Sequence, residues 1–211
     1  MTYQGTQRAI DDSSFRPPAL GESGTPTISL LGISGSLRRA SYSTAILRTL
    51  STALSQEASL QLFDLNLIPL YNEDLDGEDK PPSVLALTSA ISACDGLVVV
   101  SPEYNYGISG VLKNAIDWAS RPAHKSVLKD KPVVYMTSSP GVYGGVRAQS
   151  HLQQLFAATL SRPVTTSQVA IPTIASKVAD GHLIDDASTA FALAAVRALV
   201  AEIRDLQLPS L

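Results

Sequence analysis

Cysteine is almost absent from this chain: Cys94 stands alone in 211 residues, so no internal disulfide can form and the composition suits a reducing compartment. Nor does Cys94 head a phosphatase loop, which would need arginine six residues on, where Val100 stands. A buried spectator thiol is the expectation. Basic charge is also short, since the formal net charge is -3, the sequence pI is near 5.6 and the arginines are dispersed, which leaves no footprint for nucleic acid. No apolar run reaches membrane-spanning length, and no basic stretch followed by an apolar one opens the sequence. No membrane association is expected, and the cytoplasm is the expected location. The terminal Pro209-Ser210-Leu211 is not the peroxisomal address. His124, His151 and His182 fall on different elements without metal-ligand spacing. The acidic cluster Glu73, Asp74, Asp76, Glu78 and Asp79 lacks calcium-loop spacing and reads as a solvated surface, so no metal is expected. Internal repeats and low-complexity blocks are missing from the core.

What the chain does have is apolar residues, 45% of the total, enough at this length for one domain with a substantial core. Residues Met1 to Pro26 stand apart: they are polar, carry Asp11, Asp12, Pro17 and Pro18, and show no periodicity. They are expected to form a flexible arm ahead of a single domain over 27–211. In that domain apolar β-rich runs alternate with stretches of helical spacing. Strands are predicted over 27–33, 60–64, 96–100, 132–137 and 164–169. Helices are predicted over 42–55, 83–93, 109–120, 146–160 and from about 186 to 206. This rhythm predicts a parallel α/β sheet with helices on both faces.

The first strand runs into Gly32-Ile33-Ser34-Gly35-Ser36-Leu37-Arg38-Arg39-Ala40-Ser41-Tyr42-Ser43. Here the period switches from strand to helix across a loop of small residues. The first amides of the helix lack intrahelical partners and carry the positive end of its dipole, so an anion belongs there. Gly35 lets backbone approach, Ser36, Ser41 and Ser43 offer hydroxyls, and Arg38 adds a full charge. Capping alone would explain one serine but not this density of glycine, serine and arginine. Gly-x-x-Gly-Ser is neither the dinucleotide Gly-x-Gly-x-x-Gly nor a Walker loop, for no Gly-Lys-Ser/Thr follows.

Two further loops sit at strand ends: Ser101-Pro102-Glu103-Tyr104-Asn105-Tyr106-Gly107, and Ser138-Ser139-Pro140-Gly141-Val142-Tyr143-Gly144-Gly145. Open α/β sheets bind ligands at the carboxyl ends of strands near the topological switch point. A flavodoxin-like order, 2-1-3-4-5, makes strands one, three and four neighbours and brings all three loops to one crevice, whereas 3-2-1-4-5 would strand the second loop two positions away. The first loop offers charge and amides, the second aromatic rings and the amide of Asn105, the third glycines against which a flat group can lie. A ligand with a phosphate at one end and a flat polar ring at the other fits, which describes flavin mononucleotide.

The same residues carry a resemblance. Gly35-Ser36-Leu37-Arg38 with Ser41, Ser101-Pro102-Glu103-Tyr104-Asn105-Tyr106, Leu112-Lys113-Asn114-Ala115-Ile116-Asp117-Trp118 with Ser120-Arg121-Pro122, and Gly144-Gly145 before Arg147 resemble the NAD(P)H-dependent FMN reductase family, especially its quinone- and chromate-reducing branch. The resemblance covers about 28–206. It implies that Gly35, Ser36, Arg38, Ser41, Tyr42 and Ser43 hold the FMN phosphate. It further implies that Pro102, Glu103, Tyr104 and Asn105 line the isoalloxazine, and that Ser138, Gly141 and Gly144 border the ring. Where the family pattern usually has Asn, this chain has Ser43. The implied activity is hydride transfer from NADPH or NADH to FMN N5, then to a quinone, free flavin or similar small-molecule acceptor by a ping-pong cycle, with no catalytic side chain required. A homodimer or homotetramer with the flavin near the subunit interface is implied too.

Two other functions compete. A flavodoxin-like electron carrier would bind FMN without oxidising NAD(P)H; the phosphate-loop arginines weigh against it. A flavin-free receiver-like module would need a phosphorylatable Asp where strands one and three end in Ser34 and Ser101. Trp118 reads as packing, and Arg147 as a residue facing substrate or a neighbouring subunit.

Overall fold

The computed structural model describes residues 28–208, so the arm expected over 1–26 and the last three residues lie outside it. β1 (Ser29–Ser34) leads into α1 (Tyr42–Ala53) and β2 (Ser59–Phe63), then past a 3-10 turn at Glu73–Leu75 to α2 (Pro82–Ala93). β3 (Gly96–Tyr104) turns back as β4 (Gly107–Ile108), and α3 (Gly110–Ala119) follows. Next come β5 (Pro132–Ser138), α4 (Val146–Ala158), β6 (Arg162–Pro163) and β7 (Val169–Ile171). A hairpin of β8 (Val178–Ala179) and β9 (His182–Leu183) precedes α5 (Asp186–Gln207).

The parallel strands lie in the order β2-β1-β3-β5, with β6 and β7 both paired to the far side of β5. This is the flavodoxin-like arrangement with its last edge strand interrupted. The strand predicted over 164–169 is therefore corrected: pairing occurs at its two ends, in β6 and β7, and lapses between them. Val164 still donates its amide to the Val133 carbonyl at 2.9 Å. Beyond it Thr165, Thr166, Ser167 and Gln168 are polar and mostly exposed. An edge strand without apolar side chains to bury gains little by staying paired, and here it leaves the ladder until Val169 and Ile171, both 1% exposed, return to the core.

Alternation along the central strands sends side chains to two separate cores. Leu30, Val98, Val100, Val134 and Met136 face α1 and α5, meeting Ile46, Leu47, Leu50, Val196, Leu199 and Ile203. Leu31, Ile33, Leu97, Val99 and Val133 face α2, α3 and α4, meeting Leu87, Ile91, Leu112, Ile116, Leu152 and Phe156. Both helix layers are covered by apolar residues at helical spacing, so the sheet is held rigidly between them.

β3 runs four residues beyond the predicted 96–100 because it finds partners on both sides: Pro102 sits in register with Ser138 of β5, and Glu103 and Tyr104 pair with Ile108 and Gly107 of β4. The two-residue turn between β3 and β4 has Asn105 at φ 50° and Tyr106 at φ 67°. Left-handed backbone at both central positions matches the twist of such hairpins.

The long connection before α2 is clamped to α3. Asn114 accepts from the Tyr71 amide at 2.8 Å and donates to the Pro69 carbonyl at 2.8 Å, the same oxygen that receives the indole N–H of Trp118 at 2.8 Å. The Tyr71 ring meets Trp118 edge-on at 4.8 Å. Trp118 thus packs, as its sequence context suggests, and Asn114 fixes a loop. No helix among the described residues is long and apolar enough to cross a membrane.

Candidate functional site

Since β1, β3 and β5 are adjacent, the loops that follow them meet at one edge of the sheet. They enclose a cleft lined by Ser36, Arg38, Tyr42, Ser43, Pro102, Glu103, Tyr104, Ser138, Ser139 and Pro140. Eight of these were singled out in the sequence; Ser139 and Pro140 were not, although the two positions directly past a central strand are the signal that marks them.

Hydroxyls and a close backbone contact set the first loop. Ser41 caps α1 by accepting the Thr44 amide at 3.1 Å, and the Thr44 hydroxyl donates to Ser34 at 2.9 Å. Loss of such a cap costs about 1 kcal/mol. Gly35 donates its amide to the Val100 carbonyl at 2.8 Å. A Cβ there would lie 3.0 Å from Ser109 Oγ and 3.2 Å from Ser101 Cα, so a side chain here would force β3 and the Ser109 hydroxyl to give by a few tenths of an ångström. Gly35 and Ser41 therefore build the loop from behind while Ser36, Ser43 and Arg38 face the cleft. The amides of Tyr42 and Ser43 have no acceptor among the described residues. The Arg38 guanidinium lies 4.5 Å above the Tyr42 ring, with no carboxylate within salt-bridge distance among the described residues. Positive charge, free amides and hydroxyls converge here, and the one carboxylate in the cleft lining, that of Glu103, is engaged by Arg147 and Ala148.

The second loop supplies Pro102 and Tyr104 to the cleft wall. Glu103 also lines the cleft, and its carboxylate has a second task. Oε2 accepts the amides of Arg147 at 2.9 Å and Ala148 at 3.1 Å, which caps the N-terminus of α4 from a neighbouring strand. That helix needs an external cap because its own N-cap is Gly145, which has no side chain to offer. Asn105 occupies the turn, outside the cleft lining.

The third loop is pinned to the neighbouring strand. Ser139 donates its amide to Ile171, and Thr173 donates to the Gly141 carbonyl, each at 3.1 Å. Gly144, at φ 61°, lies so close to β7 that a Cβ would come within 2.7 Å of the Ala170 carbonyl carbon. Gly141 and Gly144 thus shape the loop rather than touch the cleft, and Ser138 with Ser139 and Pro140 forms the wall.

Around the mouth stand Tyr104, Tyr106, Val142 and Tyr143, each between 58% and 71% exposed. Arg147 sits among them, its guanidinium 4.3 Å from the Tyr106 ring and 5.4 Å from that of Tyr143. Cys94 lies elsewhere, at the end of α2, where burial pushes its thiol up to about 11. A thiol so protonated is a poor nucleophile.

Comparison with known proteins points one way. The family described as NADPH-dependent FMN reductase matches residues 28–176. An NAD(P)H-dependent FMN reductase from Pseudomonas aeruginosa is 42% identical over 160 residues, covering 75% of this chain and 86% of that protein. A quinone reductase from Escherichia coli is 45% identical over 123 residues, covering 57% of this chain and 65% of that protein. Among solved structures, a flavoenzyme NAD(P)H:(acceptor) oxidoreductase from Paracoccus denitrificans superposes with a TM-score of 0.76 at 30% identity, over 85% of this chain and 98% of that one.

Proposed function

Because the chain belongs to the NADPH-dependent FMN reductase family of oxidoreductases, we propose that its cleft binds FMN and works as an NAD(P)H-dependent reductase of quinones, free flavin or similar small acceptors. One observation carries this reading: the amides of Tyr42 and Ser43 and the Arg38 guanidinium, without acceptor or carboxylate partners among the described residues, and the hydroxyls of Ser36 and Ser43 belong to one wall of a cleft whose other walls are Pro102, Glu103, Tyr104 and Ser138 to Pro140. This donor set fits a phosphate dianion, and the flatter, less polar end fits an isoalloxazine. The chemistry FMN supplies when bound is hydride acceptance at N5 from NADPH or NADH and reduction of the acceptor.

The chain's own residues bind and orient. Arg38 forms a charge-assisted bond to the phosphate worth about 1.5–3 kcal/mol. Gly35 and Ser41 keep the loop in the shape that aims its amides. Pro102, Glu103, Tyr104 and Asn105, with Ser138, Gly141 and Gly144, hold the ring region through the walls and through the loops that shape them. No acid or base side chain is asked for. One open mouth serves both nicotinamide and acceptor, so the two take turns and the kinetics are ping-pong. The exposed aromatic rim supports assembly as a homodimer or homotetramer, which light scattering of the purified protein measures.

The first experiment is the absorbance spectrum after incubation with FMN and desalting, repeated anaerobically with NADPH. Retained flavin bands that bleach on NADPH addition are expected. Bands that persist would mark an electron carrier, and failure to retain flavin would remove the reading. Double-reciprocal plots should then be parallel lines, and intersecting ones would overturn the ping-pong order.

A further inference from the structure

A second groove lies on the opposite side of the phosphate loop. Arg39, Ala40, Ser41 and Tyr42 form one wall, Arg48 rises from α1, and Ala175, Val178, Asp180 and Gly181 form the other wall. We propose that this groove binds the 2′-phosphoadenosine end of the nicotinamide co-substrate and so makes the enzyme prefer NADPH to NADH. The inference rests on the reductase reading above and names the specificity of that same reaction.

Position comes first. Arg48 is seven residues past Ser41, two helical turns along, and therefore on the same face of α1 as the loop. The opposite wall is the β8–β9 hairpin, docked on α1 through the Leu183 amide, which donates to Thr49 Oγ1 at 2.9 Å. Its turn is Asp180-Gly181, at φ 49° and φ 75°. A Cβ on Gly181 would stand 3.1 Å from Arg48 Nη1, so glycine at the hairpin tip leaves the guanidinium its space.

Charge comes second. Arg147, Arg162 and Arg197 each pair with a glutamate. Among the described residues neither Arg39 nor Arg48 has a carboxylate within 4.0 Å, although Asp180 lines the same groove. Two unpaired guanidiniums suit a phosphate monoester, which accepts forked hydrogen bonds. The carboxylate of Asp180 accepts only, which suits the adenine amino group or a ribose hydroxyl and disfavours a bare inorganic anion. A phosphate with a nucleoside attached meets both demands, and Tyr42 and Val178 give the base apolar surface.

Reach comes third. Tyr42 lines both grooves, and between them stands the ridge Arg38-Arg39-Ala40. Three residues span at most about 11 Å. A dinucleotide with its nicotinamide in the first groove can cross that ridge. Consecutive arginines serve opposite sides of it: Arg38 the first groove, Arg39 the second.

The test uses the full chain loaded with FMN. Adenosine 2′-monophosphate, adenosine 5′-monophosphate and inorganic phosphate are titrated by calorimetry into the wild type and into Arg39→Ala, Arg48→Ala and Arg48→Lys. The 2′-monophosphate should bind best, and each alanine variant should weaken it on the order of ten-fold or more, with Arg48→Lys in between. In turnover, Arg48→Ala should lower the NADPH-over-NADH ratio of kcat/KM by a similar factor, through the KM for NADPH. Equal binding of all three ligands, or 2′-monophosphate affinity that ignores both arginines, would overturn the proposal. A wild type that oxidises neither nucleotide would sink the reductase reading instead, while calorimetry would still decide the groove.

Discussion

At one end of the cleft proposed for flavin, side chains hold one another: Thr44 donates to Ser34, Ser41 takes the Thr44 amide, and Gly35 is pressed onto β3 between Ser101 and Ser109. At the other end, Tyr104, Tyr106 and Tyr143 stand in solvent, and Tyr106 sits in left-handed backbone with the Arg147 guanidinium over its ring. At the proposed phosphate end the backbone and the serine hydroxyls are held in place by these contacts, while the exposed Arg38 side chain is left to order on binding, which confines the ordering cost to one side chain. The aromatic end is free to adjust. Under the proposed ping-pong cycle this asymmetry has a reason, since the cofactor would stay while nicotinamide and acceptor, of different shapes, alternate at the mouth.

The sharpest way to break the contrast is at Gly35. Gly35→Ala places a methyl 3.0 Å from Ser109 Oγ and 3.2 Å from the Ser101 backbone, inside a fully packed region. Overpacking of this kind costs about 1–3 kcal/mol. The expected outcome is a lower melting temperature together with loss of retained FMN after desalting. Wild-type retention in a folded variant would show that the loop is not held in one shape.

Arg38→Ala separates charge from shape at the same end. The side chain is exposed, with its guanidinium over the Tyr42 ring and no salt-bridge partner among the described residues, so the FMN-free protein should melt within a few degrees of the wild type. FMN affinity should fall about ten- to one-hundred-fold, the loss of a charge-assisted bond. Unchanged affinity by flavin fluorescence titration would remove Arg38 from the phosphate site.

Glu103→Gln probes the joint between the two ends. It keeps the shape but withdraws the negative charge from the α4 N-terminus, where Oε2 now accepts two amides. Helix-terminus charges contribute about 0.3–1 kcal/mol when exposed and up to roughly 2 when partly buried. Thermal denaturation should report a loss within that range, and FMN retention should survive. Loss of FMN with unchanged stability would mean that the carboxylate acts on the flavin directly.

How much of this was legible beforehand depended on whether the signal was local. The loop between β1 and α1 was readable as part of a cleft because glycine, serine and arginine concentrate between Gly32 and Ser43 and the period changes there. The strand order was readable from where the decorated loops fall. Edge-strand pairing was not, because Thr165 to Gln168 leave the ladder for want of a partner face, and a valine at each end of 164–169 imitates a continuous strand. Nor was the task of the Glu103 carboxylate, since Arg147 and Ala148 are more than forty residues away. Asn114 was visible in a motif but not as the residue that clamps Pro69 and Tyr71, a contact equally distant in sequence.

The smallest effect is expected where the aromatic end is strained. Tyr106 at φ 67° pays on the order of 1–2 kcal/mol for a conformation that glycine adopts freely. Against that relief, Tyr106→Gly gives up the cation–π contact with Arg147, about 0.5–1 kcal/mol at an exposed site, and adds about 0.5–1 kcal/mol of backbone entropy to the unfolded chain. These terms nearly cancel, so denaturant unfolding should place the variant within about 1 kcal/mol of the wild type, with FMN affinity unchanged and KM for the acceptor shifted. A loss well beyond that would mean the Tyr106–Arg147 stack holds the hairpin as firmly as Gly35 holds the phosphate loop, and the difference between the two ends would disappear.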